Sequence, residues 1–135
     1  AWLIDPALAA VLICPSNPFV SVAPVLAVPG MRTALHACSA PVIAVSPIVG
    51  GEAIKGPAAK MMRELALPAS ALAVARHYCE VIDGFVLDEI DHAEASCVES
   101  LGLPALVTQT VMRTVQDKEA LARAVLSFAR SLMAE

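Results

Sequence analysis

The feature that most constrains this chain is a long uncharged stretch. No Asp, Glu, Lys or Arg occurs between Asp5 and Arg32. A run of that length and polarity could cross a membrane, but Pro15, Pro18, Pro24 and Pro29 divide it. Each proline removes a backbone donor and clashes with the preceding helical turn. The pieces fall well short of the roughly 20 apolar residues that a spanning helix needs. The stretch is expected to be a deeply buried part of a water-facing domain, with no membrane partner.

Beyond it, short apolar runs alternate with helical patterns, which points to parallel strands joined by crossover helices. Residues 10–14 read as a buried strand, and a helix-like stretch follows through residues 31–38. Residues 41–45 form the next strand. Residues 57–65 have helix-forming composition, with Pro57 placed at a first helical position. Pro68 ends that helix and Ser70 can cap the next, which runs toward Cys79. Residues 85–87 are a third strand, and residues 91–101 a helix that Gly102 can end in the left-handed conformation. Residues 105–107 make a fourth strand. In the last helix Ala120, Leu121, Ala124, Val125, Phe128, Ala129 and Leu132 share a face, while Lys118, Glu119, Arg123 and Arg130 fall elsewhere. The expected fold is a three-layer α/β arrangement: a mostly parallel, Rossmann-like sheet with helices on both faces. It spans residues 1–135 as one partial domain, at 58% hydrophobic and 16% charged residues rich enough in apolar side chains to bury a core.

Cys14, Cys38, Cys79 and Cys97 are widely spaced with no C-x-x-C pair, so they are expected to be buried free thiols, not a zinc or redox site. A net charge of −4 with 4% aromatic residues argues against a nucleic-acid surface and leaves a small molecule as the expected partner. Nothing at the start has the form of a secretory leader, so cytoplasm is the expected location. Homo-oligomerisation stays open.

In an open parallel sheet, ligands bind beyond the carboxyl ends of the strands. The loop after the first strand carries Pro15, Ser16, Asn17 and Pro18, with Ser21 shortly after. Its hydroxyl and amide groups could donate to an anion; an Asx or proline turn explains the same residues. The loop after the second strand, residues 46–57, carries Ser46, Gly50, Gly51, Lys55 and Gly56. Glycines admit a close ligand and Lys55 supplies a cation. The order is not that of a P-loop, since Lys55 precedes Gly56 and Pro57 follows; an ordinary glycine loop is the competing reading. Asp88, Glu89 and Asp91 could hold Mg²⁺, although acids at a helix entry cap it and complement its dipole. His36, His77 and His92 are dispersed. Thr108, Gln109 and Thr110 read as a turn, and Met61 and Met62 as core.

The runs PSNPFVSVAPVLAVPGMRTAL, PVIAVSPIVGGEAIKGPAAKMMREL, DGFVLDEID and LVTQTVMRT resemble, in order and spacing, the second half of the 2-phospholactate transferase family of coenzyme F-420 biosynthesis. The resemblance covers nearly all of the chain from Ala10 onward. It implies transfer of a phosphorylated three-carbon acid, phospholactyl or phosphoenolpyruvyl, from a GDP-activated donor to the deazaflavin Fo, with GMP leaving and Mg²⁺ assisting. Ser16, Asn17, Ser21, Ser46, Gly50, Gly51, Lys55 and Gly56 are the candidates for holding substrate phosphates; no catalytic residue and no metal ligand is assigned. The alternative is a sugar-nucleotide-binding regulatory protein of the same fold. Gln109 stands where the family pattern has Asp, and Cys14 where it has Gly. The chain lacks the glycine-rich first turn of such enzymes and is expected to be a fragment, inactive alone.

Overall fold

The computed structural model describes residues 2–134; Ala1 and Glu135, the ends of the expected domain, lie outside the described residues. Strands β1 (Val11–Ile13) and β2 (Val42–Val45) come first, followed by a short hairpin of β3 (Ile48–Val49) and β4 (Glu52–Ala53). Strands β5 (Gly84–Asp88) and β6 (Ala105–Thr108) complete the set. The main sheet is wholly parallel in the order β1-β2-β5-β6.

That sequential order determines the layers. Right-handed crossovers between successive neighbouring strands put every connecting helix on the same face. Five short helices lie there: α1 (Ala23–Leu26), α2 (Met31–His36), α3 (Ala58–Glu64), α4 (Ala71–Tyr78) and α5 (Ala95–Glu99). They bury Leu26, Leu35, Met62, Val74 and Val98 against Val42, Ala44, Phe85 and Leu87. The alternate residues Ile43, Val45 and Val86 point to the other face, where α6 (Val115–Met133) alone supplies Leu121, Val125 and Ala129. Burying each Leu or Val contributes about 1.5–3 kcal/mol. Gly84 lets α6 settle close to the sheet, because a Cβ there would lie 2.9 Å from both Leu132 and Phe128. The three-layer α/β expectation therefore holds, with the helices divided five to one.

Several local expectations are corrected. The helix-like stretch expected over residues 31–38 is α2, ending at His36; before it a π turn at Pro18–Val22 leads into the unexpected α1, and Pro29 with Gly30 at φ +81° separates the two helices. Pro57 is the N-cap residue of α3, one position earlier than expected. The helix expected over residues 91–101 is a 3-10 segment, Glu89–Glu94, followed by α5; Asp91 leaves helical geometry there. Ser70 caps α4 as expected, accepting from Ala73 N at 3.1 Å, and Gly102 adopts φ +83°. On α6, Ala120 is exposed although its periodicity put it on the buried face.

The uncharged stretch is not deeply buried: of residues 6–31 only Pro18 and Leu26 are buried, and Val20, Val25 and Val28 are about half exposed, because its short prolyl segments lie at the edge of the sheet beside β1. The cysteines differ as well. All four are free, but Cys14, Cys79 and Cys97 are exposed and Cys38 is half-buried. Cys14 shares a face with the exposed Leu12 on edge strand β1, whereas the strands that α6 packs over extensively are β2, β5 and β6. Cys79 follows the last turn of α4, and Cys97 sits beside the buried Val98 on the outward side of α5.

Candidate functional site

The loops beyond the carboxyl ends of the strands enclose a cleft of about 230 Å³. Three segments wall it. The first loop contributes Pro15, Ser16 and Asn17; the segment from β2 to the start of α3 contributes Ser46, Pro47, Val49, Ile54, Lys55 and Ala58; the connection from β6 to α6 contributes Thr110, Val111, Met112 and Lys118. The two loops singled out in the sequence therefore open on the same edge of the sheet.

Within each wall some polar groups are already committed. Asn17 caps the turn that follows it: its Oδ1 accepts from Phe19 N at 2.9 Å and Val20 N at 3.3 Å, and its Nδ2 donates to Met61 Sδ at 3.3 Å. The buried Ser46 hydroxyl donates to Ile48 O and accepts from Ile48 N, closing the approach to the hairpin. Both side chains line the cleft while stabilising its walls. Ser16 Oγ and Lys55 Nζ make no hydrogen bond or ion pair among the described residues and are free to meet a ligand.

The paired glycines serve the hairpin. Gly50 and Gly51 have φ of +60° and +81°, as a two-residue type I′ turn between β3 and β4 requires. Gly50 N–H is taken by Asp91, whose two carboxylate oxygens each lie 3.1 Å away. Gly51 O accepts from Arg63 Nη2 at 3.0 Å. Neither glycine lines the cleft, and neither does Gly56; Ser21 faces a separate apolar groove beside β1.

Asp88, at the end of β5, anchors the opposite wall. It is 3% exposed and accepts from Thr110 N at 2.7 Å, Thr110 Oγ1 at 2.9 Å and Ile90 N at 3.1 Å. Burial by itself raises its pKa, but these donors and Val111 N–H outweigh that effect and hold the carboxyl below the ordinary carboxylate range. Asp88 thus caps the segment after β5, as a helix-entry acid should, and also fixes the Thr110 loop. Just beyond, Thr114 and Asp117 form a reciprocal capping box that sets the start of α6.

Asp88 and Asp91, considered as Mg²⁺ ligands, are engaged by the protein. Among the described residues no three His, Cys, Asp or Glu side chains converge as metal ligands. Asp88 and Asp91 direct their oxygens at backbone N–H groups. None of the three histidines lines the cleft; His77 packs against Phe19 with ring centroids 5.2 Å apart, and His92 Nδ1 pairs with Glu89 O.

Thr110, Met112 and Lys118 were not singled out as site residues in the sequence. A signal existed for Thr110. In parallel neighbours the ends of β5 and β6 lie side by side, with Asp88 opposite Thr108, so a hydroxyl two residues on comes within reach of the carboxylate. Lys118 had no such signal, because helical periodicity marked it only as off the core face.

The fold and cleft define a class: an α/β protein with a parallel sheet whose carboxyl edge carries a small, cation-lined, carboxylate-free cleft suited to an anion. The family profile described as 2-phospho-L-lactate transferase CofD matches residues 6–126. The chain belongs to that family. It is 42% identical over 116 residues to a 2-phospho-L-lactate transferase of Methanosarcina acetivorans, covering 86% of this chain and 37% of the relative. It is 37% identical over 123 residues to a phosphoenolpyruvate transferase of Kitasatospora aureofaciens, covering 90% of this chain and 38% of the relative. A 2-phospho-L-lactate transferase of Methanocaldococcus jannaschii is 35% identical over 122 residues, with shares of 90% and 38%. The chain thus spans little more than a third of the length of these relatives.

Proposed function

We propose that the full-length protein transfers a phosphorylated three-carbon acid, phospholactyl or phosphoenolpyruvyl, from a GDP-activated donor to the deazaflavin Fo. The terminal hydroxyl oxygen of Fo attacks the phosphorus that bears the acid. A new P–O bond forms, the P–O bond to GMP breaks, GMP leaves and the hydroxyl proton is lost, giving a phosphodiester. In such a transfer the protein acts mainly by positioning and by stabilising charge on the diphosphate.

The observation that carries this reading is the cleft itself: Lys55 and Ser16, free of internal partners, line the carboxyl edge of the sheet in a member of this family. Lys55 neutralises phosphate charge, Ser16 donates to a phosphate oxygen, and the apolar surfaces of Val49, Ile54 and Met112 exclude water around them. Ligand pockets commonly span about 300–1,000 Å³. A cleft of about 230 Å³ suits the diphosphate portion of the donor, not both substrates.

Calorimetric titration of GDP, a UDP-sugar and Fo into the full-length protein, with Mg²⁺ present, tests the reading. Selective binding of GDP and Fo is expected. Binding of the UDP-sugar alone would replace the transferase reading with that of a sugar-nucleotide-binding regulatory protein.

A further inference from the structure

We infer that Lys118 is a second ligand-binding cation of the cleft, and that with Lys55 it selects a ligand carrying two linked phosphates over one carrying a single phosphate. The inference rests on the proposed nucleotide reading of the site and adds to it a residue and a specificity.

The chain has three lysines, and they divide cleanly. Lys60 pairs with Glu64 one helical turn away. Lys55 and Lys118 both line the cleft, and neither forms an ion pair among the described residues. No Asp or Glu lines the cleft, although the chain as a whole carries a net charge of −4. A site whose only charged wall groups are cations, in an acidic protein, is a local electrostatic trap for an anion.

The two lysines come from different layers. Lys55 stands in the loop that leads to α3 on the five-helix face, whereas Lys118 stands in the first turns of α6 on the opposite face. They therefore approach the sheet edge from its two sides. The placement of Lys118 is built in: the Thr114–Asp117 capping box fixes where α6 begins, and Lys118 is the next residue. Of the two acids beside it in sequence, Asp117 spends its Oδ2 on Arg113 N and Thr114 N, both at 2.9 Å, and Glu119 does not line the cleft or pair with it. Lys118 is exposed and not part of either core cluster, so its side chain is not needed for packing.

Two cations that approach from opposite sides of the sheet edge can each take one phosphate of a linked pair, whereas a single phosphate offers one position to share between them. In the proposed reaction this difference is useful, because the donor holds a diphosphate and the departing GMP holds one phosphate. A pair that grips only the diphosphate retains the donor and releases the product.

The experiment compares GDP and GMP affinities of the full-length wild-type protein with those of Lys118→Gln and Lys118→Arg, with melting temperature as a fold control. Lys118→Gln is expected to weaken GDP about tenfold, the scale of one lost charge-assisted contact, and GMP by about twofold or less. Lys118→Arg, which keeps the charge, is expected to restore most of the GDP affinity. Unchanged GDP affinity in Lys118→Gln overturns the role of Lys118 and leaves the proposed function standing on Lys55. Equal loss of GDP and GMP overturns the selection of two phosphates. Absence of GDP binding by the wild-type protein overturns the nucleotide reading itself, and this inference with it.

Discussion

The Thr110 wall of the cleft and the hairpin wall are each anchored by an aspartate, Asp88 at the end of β5 and Asp91 in the 3-10 segment that follows it, but with very different strength. Asp88 gathers the N–H and hydroxyl of Thr110, together with Ile90 N, inside the protein. Asp91 receives a single N–H, that of the exposed Gly50, shared between two oxygens at 3.1 Å. The outer side of the hairpin is braced by Arg63 on Gly51 O and on Glu52, a pair that is itself exposed. Exposed pairs contribute little. One wall is therefore a rigid part of the sheet's end, and the wall that leads to Lys55 is held lightly. At the proposed diphosphate site the contrast assigns a fixed side and an adjustable side.

The largest effect should come from Asp88→Ala. It leaves the buried Thr110 N–H and hydroxyl without their acceptor and is expected to cost about 3 kcal/mol in urea denaturation. A cost near zero would mean that the wall is held by something else. The same carboxylate makes stability depend on acid. Its folded pKa lies below the unfolded value, so its contribution is complete above the unfolded pKa of about 3.9 and is lost as pH falls through the folded value. Wild-type protein should therefore lose stability in that acid window more steeply than Asp88→Asn, as melting temperature against pH would register.

Asp91→Ala should cost only about 1 kcal/mol, since water can reach Gly50 N–H once the carboxylate is gone. Equal costs for the two alanine variants would erase the distinction between the walls. Smallest of all is Tyr78→Phe. The Tyr78 hydroxyl is buried without a hydrogen-bond partner, and burial raises its pKa above the ordinary tyrosine value. Removing an oxygen that bonds to nothing is expected to leave stability unchanged or raise it by about 1 kcal/mol, measured in the same denaturation series.

The frame of the molecule was largely legible in its sequence because β2, β5 and α6 obey simple periodicities. Continuous apolar runs such as residues 42–45 are what strands buried on both faces require, and α6 keeps its apolar stripe over five turns. The loops around Ser16 and Lys55 were legible as neighbours on one sheet edge, where they wall the cleft, because strand-end position follows from the parallel pattern. The β3–β4 hairpin was not, although two residues on either side of Gly50-Gly51 carry its signal; two-residue strands are too short for periodicity to register. The aspartates were legible as helix-entry acids or metal ligands but not as wall anchors, since Thr110, the further partner of Asp88, and Gly50, the partner of Asp91, are brought near by the fold and not by sequence proximity. The expected burial of the cysteines failed for a related reason: exposure of Cys14 depends on how far α6 reaches across the sheet, which no local pattern encodes. Among the described residues no helix is long and apolar enough to cross a membrane, consistent with the prolines that divide the uncharged stretch.

The most direct test of the cleft as a phosphate site is the GDP affinity of the full-length protein with Lys55 intact and with Lys55→Ala. Lys55 has no internal partner to lose, so any change reports on the ligand. A loss of about 1.5–3 kcal/mol, tenfold or more in dissociation constant, with an unchanged melting temperature is the expected result. Identical GDP affinities in the two proteins would contradict the assignment of this cleft to the nucleotide phosphates.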